Sequence, residues 1–451
     1  MNALKQYIDL FVEHRDTIEQ HSVAPLNALR DKALKALDGA VLPRRGSEDY
    51  EATDLEAVFA PDYGLNITRV NFDGNPAESF RCDVPNMSTC LYLCFNDMIY
   101  PGANAVRNAG GVVIETLAQA ATSHPDVLTG YYGSIADLGD PTVALNTLLA
   151  QDGILIYIPD GVTAERPVQL VNIFNAMQPM MAVRRLLIVA GRNAHARILA
   201  CDHTQSKDVK HLSLQTIEII AGEDSTIDFY DMEESAATTS RVSSLFVKQA
   251  AGSNVLVDGI TLTNGFTRND YRVDVDGEHA ETTLLGMTIA GDSQHVDTHT
   301  VINHNAPRCN SNEMFKFVLD DNAVGAFAGK INVKPGCPRV EAYQGNRNLC
   351  ASPTARMHTK PQLVIYTDDV KCSHGTTIGQ MDQDALFYMQ TRGISLESAK
   401  TLLMQAFMSD VIDGVRLEVL RDRLHHLVEK RFNGTLSACA TCATACNNHT
   451  K

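Results

Sequence analysis

The chain has 451 residues, enough for at least two domains, since single cores stop growing at roughly 250 to 300 residues. Its 38 Lys and Arg against 54 Asp and Glu give a formal charge of -16, which repels phosphate backbones and anionic lipid surfaces. We therefore expect neither a nucleic acid nor a membrane as a partner.

Targeting signals and cysteine usage predict the cellular compartment. Residues 1–21 carry charges throughout and lack the basic, apolar and small-residue order of a signal peptide. No apolar run approaches the length of about 18 residues that a membrane span needs. We expect a cytoplasmic protein, in which the 11 cysteines indicate metal or sulfur chemistry, or simple burial, rather than disulfides.

Residues 1–150 are predicted to form an N-terminal helical and mixed region. Apolar residues at helical spacing predict two amphipathic helices within residues 1–38. Residues 41–64 mix Pro, Gly and charge, which indicates an irregular linker with a short helix around residues 54–59. Helical patterns return in VIETLAQAAT and in TVALNTLLAQDG, the second of which would end at Gly153.

Short β-rich runs such as ILIYIP, VQLVNIF and RRLLIVA begin at Ile154 and follow one another for about 220 residues. Within them a turn pattern recurs, consisting of Gly, two polar residues and a residue that opens the next strand. It begins at Gly191, Gly222, Gly252 and Gly277. Intervals of 31, 30 and 25 residues are typical of solenoid coils. We predict a β-helix core over residues 151–379, with a large β-sandwich as the alternative.

Helical patterns end the chain. MDQDALFYMQTRG has Asp382 as its N-cap and Gly393 just beyond its end, and Ser395 caps the helix that starts with LESAK. A third helix, RLEVLRDRLHHLVEKRF, follows. These helices form a predicted C-terminal domain at residues 380–434, and residues 435–451 form a Cys-rich tail.

The sequence lacks the enzyme motifs that we searched for, or lacks the residues that their mechanisms require. GAFAGKI, residues 325–331, resembles a phosphate-binding loop, but three residues separate its glycines and no Ser or Thr follows Lys330. We predict a strand there and no nucleotide bound by this chain. The sequence contains no G-x-S-x-G, H-E-x-x-H or G-x-G-x-x-G motif.

Three histidines in QHVDTHTVINH, namely His295, His299 and His304, could supply imidazoles to a metal. On an alternating strand His295 and His299 share a face, whereas His304 points the other way. Strand histidines whose hydrogen bonds are made by neighbouring backbone are commoner, and both interpretations stay open.

A thiol and an imidazole stand two residues apart in CSHG, at Cys372 and His374. On a strand they project to the same side about 7 Å apart. The pair can be buried core, a contact to a metal or cluster, or a nucleophilic pair. Catalysis would also need an orienting group and an oxyanion pocket, which no spacing here specifies.

The stretch DDVKCSHGTTIGQMDQDALFYMQTRGIS, residues 368–395, closely resembles the C-terminal signature of the SufB/SufD family, the scaffold subunits of the Suf iron-sulfur cluster assembly system. ALNTLLAQDGILIYIPDGVTAERPVQLVNIF is similar to the start of the family's β-helix. HVDTHTVINHNAPRCNSNEMFKFVLDDNAVGAFAGKINV and QGNRNLCASPTARMHTKPQLVIYTDDVKCSHG are similar to its later coils. The resemblance extends from about residue 140 to about residue 415, and the form KCSHG is most like the SufD side of the family.

This resemblance implies a mainly β fold, a right-handed parallel β-helix flanked by N-terminal and C-terminal helical segments. It implies a non-catalytic subunit that pairs edge to edge with a SufB-like subunit and docks a SufC-like ABC-type ATPase. In the family, the histidine that corresponds to His374 lies at the subunit interface, where a transient iron-sulfur cluster is held, and Cys372 is its neighbour. The expected ATPase-docking residues are Phe387, Tyr388, Arg392, Gly393 and Ile394.

The Cys-rich tail departs from the pattern that the family shares. Cys439, Cys442 and Cys446 fall at i, i+3 and i+7, and His449 follows. On a helix the three thiols would share one face, which suits a metal site or a persulfide acceptor. In an Ala-rich tail they can equally be inert small residues.

Two other functions compete with the Suf subunit. A β-helix carbohydrate lyase or hydrolase would need clustered carboxylates or a base along a groove, and such enzymes usually act outside the cell. A self-pairing SufB-like scaffold is the other alternative, because SufB and SufD share ancestry.

Overall fold

The computed structural model describes residues 2–70, 89–100 and 110–434. Its helices are α1 (Ala3–Gln20), α2 (Ala24–Ala36), α3 (Leu55–Phe59), α4 (Leu117–Ser123), α5 (Pro125–Tyr131), α6 (Pro141–Leu149), α7 (Gln383–Thr391), α8 (Leu396–Asp413) and α9 (Glu418–Phe432). No helix within these ranges is long and apolar enough to cross a membrane.

The strands are β1 (Cys90–Phe95), β2 (Met98–Ile99), β3 (Val113–Thr116), β4 (Ile154–Ile158), β5 (Val168–Phe174), β6 (Met180–Ala190), β7 (His195–Thr204), β8 (His211–Ala221), β9 (Thr226–Glu234), β10 (Thr239–Gln249), β11 (Asn254–Thr263), β12 (Phe266–Val275), β13 (Glu281–Ala290), β14 (His295–His304), β15 (Asn310–Leu319), β16 (Val324–Val333), β17 (Val340–Cys350), β18 (Arg356–Ile365) and β19 (Val370–Gln380).

These strands form two facing sheets. One sheet has the order β19-β17-β15-β13-β11-β9-β7-β5-β1-β2, and the other has the order β18-β16-β14-β12-β10-β8-β6-β4-β3. From β4 onward successive strands alternate between the sheets, and each strand pairs in parallel with the strand two places along the chain. The result is a parallel β-solenoid of about eight turns. The predicted mainly β fold, a parallel β-helix flanked by helices at both ends, is confirmed.

The recurring turn pattern forms one corner of the solenoid. Its third residue has a left-handed backbone at Asn193 (φ 51°), Asp224 (φ 54°) and His279 (φ 60°), whereas Gly252 takes that conformation itself (φ 67°). Short polar residues tolerate this conformation better than branched or bulky ones. Neighbouring corners are joined by backbone hydrogen bonds, as from Asn193 N to the Glu223 carbonyl at 2.9 Å. The polar residues of the pattern therefore set the corner at which each coil turns.

The space between the sheets is apolar along one side and polar along the other. On β6 the inward-facing Leu186 and Ile188 lie in the main apolar cluster, whereas Arg184 on the same face lies among polar groups. Arg184 Nη1 donates to Asp202 Oδ1 at 3.0 Å. The fully buried Arg241 lies with its Nε 3.3 Å from Asp202 Oδ2.

Arg241 is the centre of this polar side. Its Nη2 donates to Asp231, and its Nη1 lies 3.9 Å from Glu233 Oε2. Burial raises the pKa of Glu233 to about 7, and the Arg241 charge opposes this rise. Buried charges are tolerated when they are paired and hydrogen-bonded, so the arginines and the acidic side chains stabilise one another in the interior.

The N-terminal region differs from the sequence prediction in three places. The predicted helical run from Val113 begins as strand β3, which pairs antiparallel with β4, and the helix starts only after Thr116. The reason is a capping box, in which the Thr116 and Gln119 side chains each bond the other's backbone N–H. The helix predicted to end at Gly153 ends at Leu149, because Ala150 is already extended. Strand β1, which pairs in parallel with β5, was not predicted.

The C-terminal helices cover the outer face of the ten-stranded sheet. Outward-facing Leu256 and Leu285 pack in one apolar cluster with Met408 and Leu420 of the helices. Between α8 and α9, the Leu417 N–H donates to the Tyr230 hydroxyl at 3.2 Å. The helical segment is therefore attached along the solenoid by both apolar and polar contacts.

Asp258 is a buried carboxyl group beneath these helices. It lies on β11 between Tyr230 of β9 and Leu285 of β13, and neither of its oxygens has a hydrogen-bond partner among the described residues. Tyr230 is the titratable group beside it in the sheet, and Arg416 above pairs instead with Asp228 at 2.9 Å. Burial raises the pKa of Asp258 from 3.8 to about 7.

We predict that Asp258→Asn increases the free energy of unfolding more at pH 8 than at pH 5. Between pH 5 and about 7 the native wild type keeps a proton that the unfolded chain has lost, so its stability falls as the pH rises to about 7 and stays level above that pH. The difference should be on the order of 2 kcal/mol, measured by urea unfolding. Asp208→Asn, at an exposed loop position, is the control. An identical pH dependence in wild type and Asp258→Asn would contradict this assignment.

Candidate functional site

The last coil of the solenoid has two free edges. In the described part of the chain, β19 pairs with β17 on one side and with nothing on the other, and the same is true of β18 beside β16. Most residues of β19 are exposed, including the side that continues the solenoid interior. An open end of the core is thus in contact with solvent.

Cys372 and His374 both lie on β19 at this open end. In register, Cys372 follows Ala342 and His374 follows Gln344, so the two side chains belong to the inward-facing set. The strand geometry separates them by about 7 Å. Cys372 is half-buried and packs against the main apolar cluster, whereas His374 is exposed. A thiol and an imidazole are therefore available together at the end of the core.

The protonation of Cys372 follows from its surroundings. Burial raises the pKa of the Cys372 thiol above its ordinary value. The free chain therefore carries a thiol rather than a thiolate at neutral pH. A metal that binds the sulfur must displace this proton, because the thiolate is the ligand form.

The interior becomes polar in the last coils. The Thr359 hydroxyl lies 2.9 Å from Asn346 Oδ1 and 2.9 Å from the Thr376 hydroxyl, which links the two edge strands. One strand further in, Gln344 Nε2 donates to Glu313 Oε2 at 2.7 Å. Burial raises the pKa of Glu313 to about 7. These groups form a polar layer in the last coils, beside the apolar contacts that reach Cys372.

The three histidines of β14 do not meet. His295 and His299 share the outer face and His304 points inward, as the alternation predicted. His295 Nε2 lies 2.9 Å from the Thr53 hydroxyl, and His304 Nε2 lies 2.9 Å from the Ser311 hydroxyl. The alternative of a metal triad is wrong, because the sheet separates His304 from the others. No group of three His, Cys, Asp or Glu in the described ranges is arranged to hold a metal ion.

A groove beside β18 was not predicted from the sequence. It has a volume of about 450 Å³ and is lined in part by Asp297, His299, His358 and Lys360. The linker of residues 49–53 closes one side, where Lys360 Nζ donates to Glu51 Oε1 at 3.0 Å. Residues more than 240 positions apart meet here, as the Thr53 and Asp297 pair does. No local pattern in the sequence indicates such a contact.

The expected docking residues lie on α7 and in the loop between α7 and α8. Asp382 caps α7, Ser395 caps α8, and Gly393 has a φ of 84°, as predicted. Phe387 is 70% exposed and Tyr388 is 59% exposed.

Arg392 reinforces this exposed aromatic pair. Its guanidinium lies over the Tyr388 ring, and Nη2 donates to the Tyr388 hydroxyl at 3.1 Å. Ile394 is half-buried and packs against the apolar cluster beneath the helices, so it anchors the loop rather than extending from it. Cys439, Cys442, Cys446 and His449 lie outside the described residues.

Comparisons with known proteins agree with the architecture. The SufBD core domain of the SUF system for FeS cluster assembly matches residues 172–407, and the SufBD protein N-terminal region matches residues 1–170. The chain belongs to the SufBD family. Together the two matched regions cover the N-terminal helices, the whole solenoid and the first C-terminal helices.

Several curated relatives are similar to this SufBD-family chain. The iron-sulfur cluster assembly SufBD family protein slr0076 of Synechocystis is 27% identical over 411 residues, 89% of this chain and 90% of that protein. The iron-sulfur cluster assembly protein SufD of Bacillus subtilis is 25% identical over 333 residues, 71% of this chain and 74% of its own length. SufD of Escherichia coli is 32% identical over 167 residues, 37% of this chain and 40% of its own length.

Proposed function

We propose that this SufBD-family chain is a SufD-like, non-catalytic scaffold subunit that works in the cytoplasm. Its open end pairs with a SufB-like subunit, and its C-terminal helices dock a SufC-like ATPase. An iron-sulfur cluster is the cargo, held transiently between the two scaffold subunits. The observation that carries this proposal is the uncovered last coil with Cys372 and His374 at its end.

The pairing proposal follows from the chemistry of a free strand edge. Unpaired N–H and C=O groups on β18 and β19 are a template for another chain, and natural proteins normally cover such edges. Tyr366 is 65% exposed and Ile378 is 53% exposed around this end. These apolar groups favour a partner that adds strands and buries them. A second copy of this chain is the alternative partner, as in a self-pairing scaffold.

The cluster proposal follows from the donor atoms. The Cys372 sulfur and a His374 ring nitrogen are both ligand types for iron-sulfur clusters. Two ligands from this strand edge leave the other coordination positions of the cluster for residues of a partner subunit. The carbohydrate-enzyme alternative needs carboxylates that face a groove, whereas Asp231 and Glu233 are buried beside Arg241.

We predict that His374→Ala leaves folding and subunit pairing intact but lowers the cluster content of the complex. The imidazole is exposed, so its loss costs little burial, but it removes a coordination position. We expect a loss of at least about tenfold, measured as iron and sulfide per complex after coexpression with the full Suf system. Ser373→Ala, the neighbouring residue on the opposite face of β19, is the control. If the His374→Ala complex contained as much iron and sulfide as the wild type, His374 would not be a cluster ligand.

The docking proposal rests on the exposed aromatic pair on α7 and on Arg392, which follows that helix. Aromatic and arginine side chains dominate the energetics of protein interfaces, and Phe387, Tyr388 and Arg392 form such a group. Deleting the C-terminal helices is not a clean test, because it would uncover the apolar outer face of the solenoid at Leu256 and Leu285.

We predict that Phe387→Ser with Tyr388→Ser weakens ATPase binding by at least about 30-fold, the equivalent of about 2 kcal/mol. Binding of purified ATPase can be measured by calorimetry. Val419→Ser on α9, another exposed apolar position, should leave the affinity unchanged. ATPase binding of wild-type strength by the double variant would mean that the docking surface lies elsewhere.

We further propose that Cys439, Cys442, Cys446 and His449 form a metal site in the tail. The full-length chain should bind ferrous iron or zinc with release of protons, because bound thiols are deprotonated. We predict that replacing the three cysteines by Ser abolishes this uptake, whereas Cys350→Ser does not. If the triple variant binds metal as the wild type does, the tail site does not exist. If the wild type also accepts no more persulfide sulfur from a donor than the triple variant does, the tail thiols are inert.

A further inference from the structure

Three inward-facing side chains form a column that ends at His374. Glu313 on β15 is in register with Gln344 on β17, and Gln344 is in register with His374 on β19. Adjacent strands lie about 4.8 Å apart, so each side chain is next to the following one. The column runs from the fully buried interior to the exposed open end.

The Gln344 amide has a defined orientation in this column. Its Nε2 donates to Glu313 Oε2 at 2.7 Å, and a carboxyl oxygen can accept this bond whether or not Glu313 is protonated. Across the interior, a Cβ added at Gly329 would lie 2.1 Å from Gln344 Nε2, so the amide fills the space that glycine leaves. The amide nitrogen is therefore committed to Glu313, and the oxygen is left for another donor.

That oxygen has no donor within the described residues. Gln344 is 3% exposed, and its Oε1 is buried without a hydrogen-bond partner. Buried polar atoms are normally satisfied, so an unpaired acceptor next to an interface needs an explanation. The neighbour in register on the open side is His374, whose neutral ring carries one N–H donor and one lone pair.

We infer that Gln344 is a positioning residue for His374, whose ring N–H donates to Gln344 Oε1 while the other ring nitrogen faces the cluster. This inference rests on the proposed role of His374 as a cluster ligand. Histidines that bind metals almost always donate their second ring N–H to an oxygen, which fixes the tautomer and the ring orientation. Glu313 in turn holds the Gln344 amide in the orientation that this bond requires, and Glu313 itself does not contact the imidazole.

The test uses the complex coexpressed with the full Suf system and follows the rate of cluster loss to an iron chelator. Gln344→Met keeps the volume but removes the acceptor, and we expect cluster loss about tenfold faster than in wild type. The exchange variant, Gln344→Glu with Glu313→Gln, keeps both an acceptor oxygen at position 344 and the hydrogen bond between the two side chains, and it should restore the wild-type rate. Gly329→Ala pushes the amide out of place without changing it and should also accelerate the loss. Ser373→Ala, on the opposite face of β19, should have no effect.

A double variant separates this inference from the proposed function. If Gln344 acts through His374, then Gln344→Met adds no further loss in a His374→Ala background. Additive losses, a wild-type rate in Gln344→Met, or failure of the exchange variant to restore the rate would overturn the role of Gln344 and leave His374 as a ligand. If His374→Ala itself retains the cluster, the proposed function fails, and the inference fails with it.

Discussion

Parallel strand pairing is the constraint on which the rest of this structure depends. Each coil satisfies its backbone hydrogen bonds only through the coils on either side, so a solenoid must have an end whose groups are unpaired. Here that end is formed by β18 and β19, which carry the thiol and the imidazole. The same constraint that leaves the edge free thus exposes Cys372 and His374, which would be buried if another coil followed.

The polar side of the interior makes this end compatible with a partner. Between the sheets, Arg241 and its acidic neighbours stabilise one another in the middle of the solenoid. Nearer the last coil, polar side chains replace apolar ones, as where Glu313 follows Leu284 in register and is followed by Gln344. A purely apolar interior would expose an apolar patch to solvent at this end, and such patches promote aggregation. The polar layer instead gives the end hydrogen-bonding groups that the proposed partner would satisfy.

The sequence predicted the features that are set locally. The corner pattern revealed the coils, because a left-handed corner needs residues such as Asn193 and Asp224. The caps Asp382 and Ser395 bond backbone groups within three residues, so their short-range chemistry was sufficient. Strand β1 was missed because its partner β5 lies over 70 residues away and supplies the pairing that its own sequence does not specify.

The candidate site likewise has one feature that the sequence predicts within a single strand and one that depends on pairing between distant strands. The adjacency of Cys372 and His374 follows from the sequence, since alternation on one strand decides it. That Gln344 lies beside His374 follows only from the register of two strands, and Glu313 is a further 31 residues away in the chain. The corner pattern in the sequence gives the approximate period of the solenoid, but its intervals of 31, 30 and 25 residues are too variable to fix which residues of neighbouring coils lie side by side.

The C-terminal helices and the candidate site both contact strand β15. On β15, Glu313 faces the interior column, and Lys316 faces outward beneath α8. Lys316 Nζ donates to the Phe407 carbonyl and to Asp410 Oδ2, both at 2.7 Å, and it lies over the Phe407 ring. Because a buried ammonium group that loses its partners is costly, this contact holds α8 to the strand. Strand β15 therefore holds α8 through Lys316 and holds the Gln344 amide through Glu313, three residues earlier.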